Sequence, residues 1–95
     1  MSQEKPNLLA KLTAAGRHYR CVREERDAAL KACAATLTRL EARVESDTAT
    51  QAEINTMEDE YERQNDGLGE LNNKLETAIY SMASALTELK NTSPA

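Results

Sequence analysis

From Ile54 onward, apolar residues recur alternately three and four positions apart: Ile54, Met57, Tyr61, Gln64, Leu68, Leu71, Leu75, Ala78, Met82, Ala85 and Leu89. Only Gln64 is polar in this series. An unbroken 3-4 spacing over five heptads lays one apolar stripe along a helix of about forty residues. The first half carries a similar stripe through Leu8 or Leu9, Leu12, Ala15, Tyr19, Val22, Arg26, Leu30, Cys33, Leu37, Leu40 and Val44. Between Val22 and Leu30 its steps are four and four, which predicts a stutter that locally relaxes a left-handed supercoil.

Glu45-Ser46-Asp47-Thr48-Ala49-Thr50-Gln51 separates the stripes and holds no large apolar residue. Ser, Asp and Thr compete for backbone hydrogen bonds and favour turns and caps. Thr48 with Gln51, or Thr50 with Glu53, fits a capping box opening a second helix. The pattern therefore predicts an all-α fold, an antiparallel, coiled-coil-like helical hairpin. Its helices span about 7–46 and 50–91, with a turn at 46–50 and frayed tails at 1–6 and 92–95, in a single domain. Asn7 is the expected cap of the first helix, and Asn91-Thr92-Ser93-Pro94 the expected stop of the second. Asn65-Asp66-Gly67-Leu68-Gly69 offers an alternative break near 66–69, giving three helices, because each helical glycine costs about 1 kcal/mol. Tyr61, Leu68 and Leu75 hold their sevenfold phase through it, which favours one long arm.

Folded antiparallel, the stripes pair at residue numbers summing to 97 or 98, from Val44 with Ile54 to Leu12 with Ala85. Tyr19 with Ala78, Ala15 with Met82 and Leu12 with Ala85 set large against small, as interdigitating layers require. Charge also divides the arms. Residues 1–43 hold nine Lys or Arg against five acids, and residues 44–95 hold three against eleven, making up the net −4. Arg39 and Arg43 are thereby expected to approach the Glu58-Asp59-Glu60 cluster. Such pairs select partner and direction more than they drive folding.

Two helices alone are not expected to surround a residue from all sides. Towards the chain ends the second arm carries three apolar positions per heptad, as bundle-forming helices do. Leu8, Leu9, Ile79, Met82, Leu86 and Leu89 are thus the candidate contact residues. The expected partner is a second copy, a dimer first of all, or a helical protein, as for a chaperone, adaptor or assembly factor.

Candidate chemistry adds little. His18 is the sole histidine, Cys21 and Cys33 lie twelve apart with no third ligand, and Gly67 and Gly69 follow no strand. No catalytic residue, metal ligand or cofactor site is nominated, and a non-enzymatic protein is expected. On one helix the cysteines are about 18 Å apart, too far for a bridge. The alternative function is nucleic-acid binding through Arg17, Arg20, Arg23 and Arg26. Interleaved Glu24, Glu25 and Asp27, the i,i+4 pairs Arg20–Glu24, Arg23–Asp27 and Asp27–Lys31, and a pI near 5.0 weigh against it. Polar Arg26 and Gln64 in the stripes are expected to snorkel and to pack loosely beside Cys33, respectively. With no signal-peptide-like stretch and no spanning run, a cytoplasmic setting is expected.

Chain length, the hairpin layout and Glu70-Leu71-Asn72-Asn73-Lys74-Leu75 resemble the small helical-hairpin proteins of the WXG100 type, but no Trp-x-Gly turn is present. The plan is also similar to hairpin co-chaperones of type III secretion needles. That likeness is architectural and carries over no residue.

Overall fold

The computed structural model describes residues 4–92. Helix α1 spans Glu4–Glu45 and helix α2 spans Gln51–Thr92, each of 42 residues. They lie side by side in an antiparallel hairpin of 72 × 18 × 14 Å. Its radius of gyration, 21.1 Å, far exceeds the roughly 12 Å of a globular chain of this length, so the molecule is a rod.

The chain turns at residues 46–50, as the cluster of Ser, Asp and Thr predicts. The turn holds itself with local hydrogen bonds. Ser46 N–H donates to the Arg43 carbonyl at 3.1 Å, Ala49 N–H to the Ser46 carbonyl at 3.3 Å, and Thr48 N–H to Ser46 Oγ at 3.3 Å. Thr50 then caps α2, its Oγ1 accepting from the Glu53 N–H at 3.2 Å. Only half of the predicted capping box forms, because the Glu53 carboxylate binds Arg43 across the turn, with Nε at 2.9 Å.

At the other end α1 begins at Glu4, so Asn7 lies inside the helix and is not its cap. Pro6 is tolerated there because the first N–H groups of a helix have no intrahelical partner to lose. Of the expected frayed tails, residues 4–6 and 92 are helical, whereas 1–3 and 93–95 lie outside the described residues. The expected alternative break near 66–69 does not occur, and α2 runs straight through both glycines.

The seam differs from the apolar stripe in one respect. In α1 the buried and half-buried residues are Leu8, Leu12, Ala15, Tyr19, Val22, Arg26, Ala29, Cys33, Thr36, Leu40 and Arg43, with only Gly16 besides. Their spacing is four and three throughout, without a stutter. Leu30, Leu37 and Val44, expected in the seam, are instead exposed, and their neighbours Ala29, Thr36 and Arg43 take those places. The cause lies in α2, whose stripe is strictly heptad and seats as read. Two helices stay in contact over 42 residues only if both follow the same 3.5-residue repeat. With the shift, every facing pair sums to 97, including Ala29 with Leu68, Thr36 with Tyr61 and Arg43 with Ile54.

The large-against-small layers form as expected. Ala78 and Ala85 are each 1% exposed beneath the longer side chains of α1. Contrary to the expectation that two helices leave every residue partly uncovered, small seam residues are enclosed: Thr36 is wholly buried yet satisfied, since its hydroxyl donates to the Ala32 carbonyl at 3.1 Å and accepts from Arg39 at 3.0 Å.

At Gly67 and Gly69 a Cβ would meet nothing within 4 Å, and no glycine has a positive φ. Neither residue is needed for close approach or for a turn. Gly67→Ala and Gly69→Ala are each expected to stabilise the hairpin by about 0.5–1 kcal/mol, read from urea denaturation followed by circular dichroism.

Candidate interaction surface

With seam positions named a and d, the residues after d (e) and before a (g) form the two flanks of the rod. The g flank is charged and closes electrostatically. Lys11 reaches Glu88 at 3.0 Å and Arg39 reaches Glu60 at 3.7 Å, both pairs joining g residues of opposite helices. Near the turn, Arg43 extends from the seam to Glu53 on this side. The expected approach of Arg39 to the acidic cluster is therefore found. That of Arg43 is redirected to Glu53, five residues before the cluster in sequence.

The e flank carries the exposed aliphatic side chains, interrupted by polar residues. In α1 it carries Leu9, Gly16, Arg23, Leu30, Leu37 and Val44, and in α2 Gln51, Glu58, Asn65, Asn72, Ile79 and Leu86. All six large aliphatic side chains that stand exposed in the described rod belong to it: Leu9, Leu30, Leu37, Val44, Ile79 and Leu86. Tyr80, more exposed still, sits on the outer face of α2. Arg23 and Glu58 are the only charged residues on the e flank.

The sequence-predicted contact residues divide accordingly. Leu9, Ile79 and Leu86 lie exposed on the e flank, near the open end. Leu8, Met82 and Leu89 are half-buried in the seam, where they hold α1 to α2. Sequence reasoning missed Leu30, Leu37 and Val44 as surface residues by placing them in the seam. The signal that finds them is the strict spacing of α2, which admits no stutter in its partner.

The arginines do not form one patch. At three-residue steps Arg17, Arg20, Arg23 and Arg26 drift about 60° each, so they wrap half the helix circumference. Arg17, Arg20 and Arg23 are exposed, while Arg26 lies at the seam edge and its Nε binds Asp27 at 3.0 Å. That is the expected snorkelling. None of the expected i,i+4 pairs Arg20–Glu24, Arg23–Asp27 and Asp27–Lys31 closes among the described residues, and Asp27 is held by Arg26 instead. Cys21 is exposed and Cys33 buried, both as free thiols on α1. A groove of about 780 Å3 opens beside the turn on the g flank, floored by Ala42, Ala52 and Met57. The arginines at its rim, Arg39 and Arg43, are already engaged by Glu60 and Glu53.

Among the described residues there is no group of three His, Cys, Asp or Glu able to hold a metal, and no helix long and apolar enough to cross a membrane. No protein-family model, curated protein or solved structure matches this chain.

Gln64 is the weak point of the seam. It faces Cys33, and its buried Oε1 meets no hydrogen-bond partner among the described residues. An unmet buried amide oxygen costs about 1–3 kcal/mol, more than a loosely packed amide returns. Gln64→Leu is expected to raise the unfolding free energy by about 1–2 kcal/mol in urea titration, with helical content unchanged.

Proposed function

We propose that this protein is a non-enzymatic protein–protein interaction module, a hairpin that presents its e flank to another helical surface. The observation that carries the reading is the asymmetry of the rod. Every large exposed aliphatic of the e flank is on the side away from the cross-helix ion pairs Lys11–Glu88 and Arg39–Glu60. Complete burial of a Leu, Ile or Val is worth about 1.5–3 kcal/mol, and six such side chains here are left without full cover by their own chain. An amphipathic helix pair of this kind matches the facing layer of a helical bundle or a helix laid in a groove. The roles of chaperone, adaptor or assembly factor all use such a surface, in a cytoplasmic setting or elsewhere.

The test compares flanks. Ile79→Asp combined with Leu86→Asp is expected to weaken association at least about tenfold while leaving far-ultraviolet circular dichroism unchanged at low concentration. Ser81→Asp, on the g flank of the same helix segment, is expected to change association less than about twofold. Association is read by sedimentation equilibrium and by retention of proteins from the native host on the immobilised chain. Equal binding by the e-flank variant and the parent chain, in both assays, would refute the reading.

A further inference from the structure

The rod carries a lengthwise charge pattern that bears on what covers its e flank. We infer that it is covered by a second copy of this chain laid head to tail, forming an antiparallel four-helix bundle with the turn of each copy at the open end of the other. The inference rests on the reading of the e flank as the contact surface.

Charge is the first argument. Cut across its middle, the rod divides into a turn half, residues 27–70, and an open half, residues 4–26 and 71–92. The turn half holds four Lys or Arg against eleven acids, a net of −7, and the open half eight against five, a net of +3. Two copies aligned head to head would stack −7 on −7. Head to tail, each −7 half lies against a +3 half. At physiological ionic strength the screening length is about 8 Å, so charges across a packed helix layer still interact. The paired alignment is therefore favoured and the stacked one penalised.

Side-chain size is the second. In the centred head-to-tail register, α1 lies on the α1 of the second copy and facing residue numbers sum to 53. Leu9 then meets Val44, and Leu37 meets Gly16, where a Cβ finds only open space. Arg23 crosses Leu30, and Glu58 of the second copy lies nine residues, about 14 Å along the rod, from that level. In the head-to-head register Leu9 lies by Leu86, but Leu37 faces Glu58 and Val44 faces Gln51; head to tail it is Ile79 and Leu86 that lie by Asn65, Glu58 and Gln51, so side-chain size favours the head-to-tail register along α1 alone.

Extent is the third. An outline of 72 × 18 Å exceeds the roughly 800 Å2 per partner of a standard interface, so a copy fits along the full face.

Cross-linking between two variants tests the arrangement, in a Cys21→Ser background and with the full chain. One chain carries Leu9→Cys and the other Val44→Cys. Within one chain these sites are about 50 Å apart on α1, so no internal bridge can form. Mixed and mildly oxidised, the two chains are expected to give the 9–44 disulfide dimer at least about tenfold over 9–9 and 44–44 products. Unlinked parent protein is expected to dimerise more weakly as NaCl rises from about 0.05 to 0.5 M. Dominant 9–9 linkage, or dimerisation strengthened by salt, would overturn the head-to-tail arrangement. A monomeric mass at about 100 μM by light scattering would overturn the second copy itself. Host proteins retained by the parent chain and lost with Ile79→Asp plus Leu86→Asp would, in that event, leave the interaction reading standing with a different partner. Retention unaffected by that variant would remove both.

Discussion

A pair of helices can bury one strip of each, and the strip is chosen by spacing before it is chosen by size. Over 42 residues, contact survives only where both helices repeat every seven. In α2 the strictly repeating positions are also the large apolar ones, so spacing and hydrophobicity agree. In α1 they part company beyond Arg26. Ala29, Thr36 and Arg43 keep the repeat, while the more apolar Leu30, Leu37 and Val44 stand one residue out of phase. The seam follows the repeat, and its middle and turn end are consequently thin. Cys33 faces Gln64 there, Thr36 is tied to its own helix and to Arg39, and Arg43 closes the tip through Glu53. The interior is supplied mostly by layers of small against large nearer the open end, around Ala78 and Ala85.

That one constraint also makes the surface. Aliphatic side chains displaced from the seam of α1 fall on the e flank, the same side as Leu9, Ile79 and Leu86. The cross-helix ion pairs take the g flank. The rod thus acquires an apolar side and a charged side, although neither helix alone has a wide apolar face. Exposed ion pairs such as Lys11–Glu88 contribute only about 0–1 kcal/mol each. They fix direction and register, while the apolar side retains unused burial energy. Folding also rearranges the charge: arms of +4 and −8 in the sequence become a turn half of −7 and an open half of +3.

Much of the fold is legible in the sequence. The hairpin, the turn at 46–50, a cap at Thr48 or Thr50, the whole seam of α2 and the continuity of that helix through Gly67 and Gly69 follow from periodicity and cap chemistry. What is not legible follows from physical causes. A stripe traced through the largest side chains of α1 takes Leu30 over Ala29 and Leu37 over Thr36, because hydropathy carries no information about the partner's repeat. Asn7 looks like a cap, yet the helix extends past Pro6, whose missing N–H costs nothing in a first turn. Of the residues that surplus apolar positions single out, Leu9, Ile79 and Leu86 stand exposed on the e flank, while Leu8, Met82 and Leu89 are half-buried in the seam.

Thr36 and Leu37 put the governing constraint to the plainest trial, since hydropathy and spacing rank them oppositely. Thr36 is 0% exposed and Leu37 is 37% exposed. The measurement is the urea midpoint of Thr36→Asp and Leu37→Asp, followed by circular dichroism at low micromolar concentration. Thr36→Asp should unfold the hairpin or lower its midpoint sharply, by several kcal/mol for a charge forced into the seam, while Leu37→Asp keeps its helical content. The reverse order would show that the larger side chain holds the seam and that the heptad of α2 does not govern its partner.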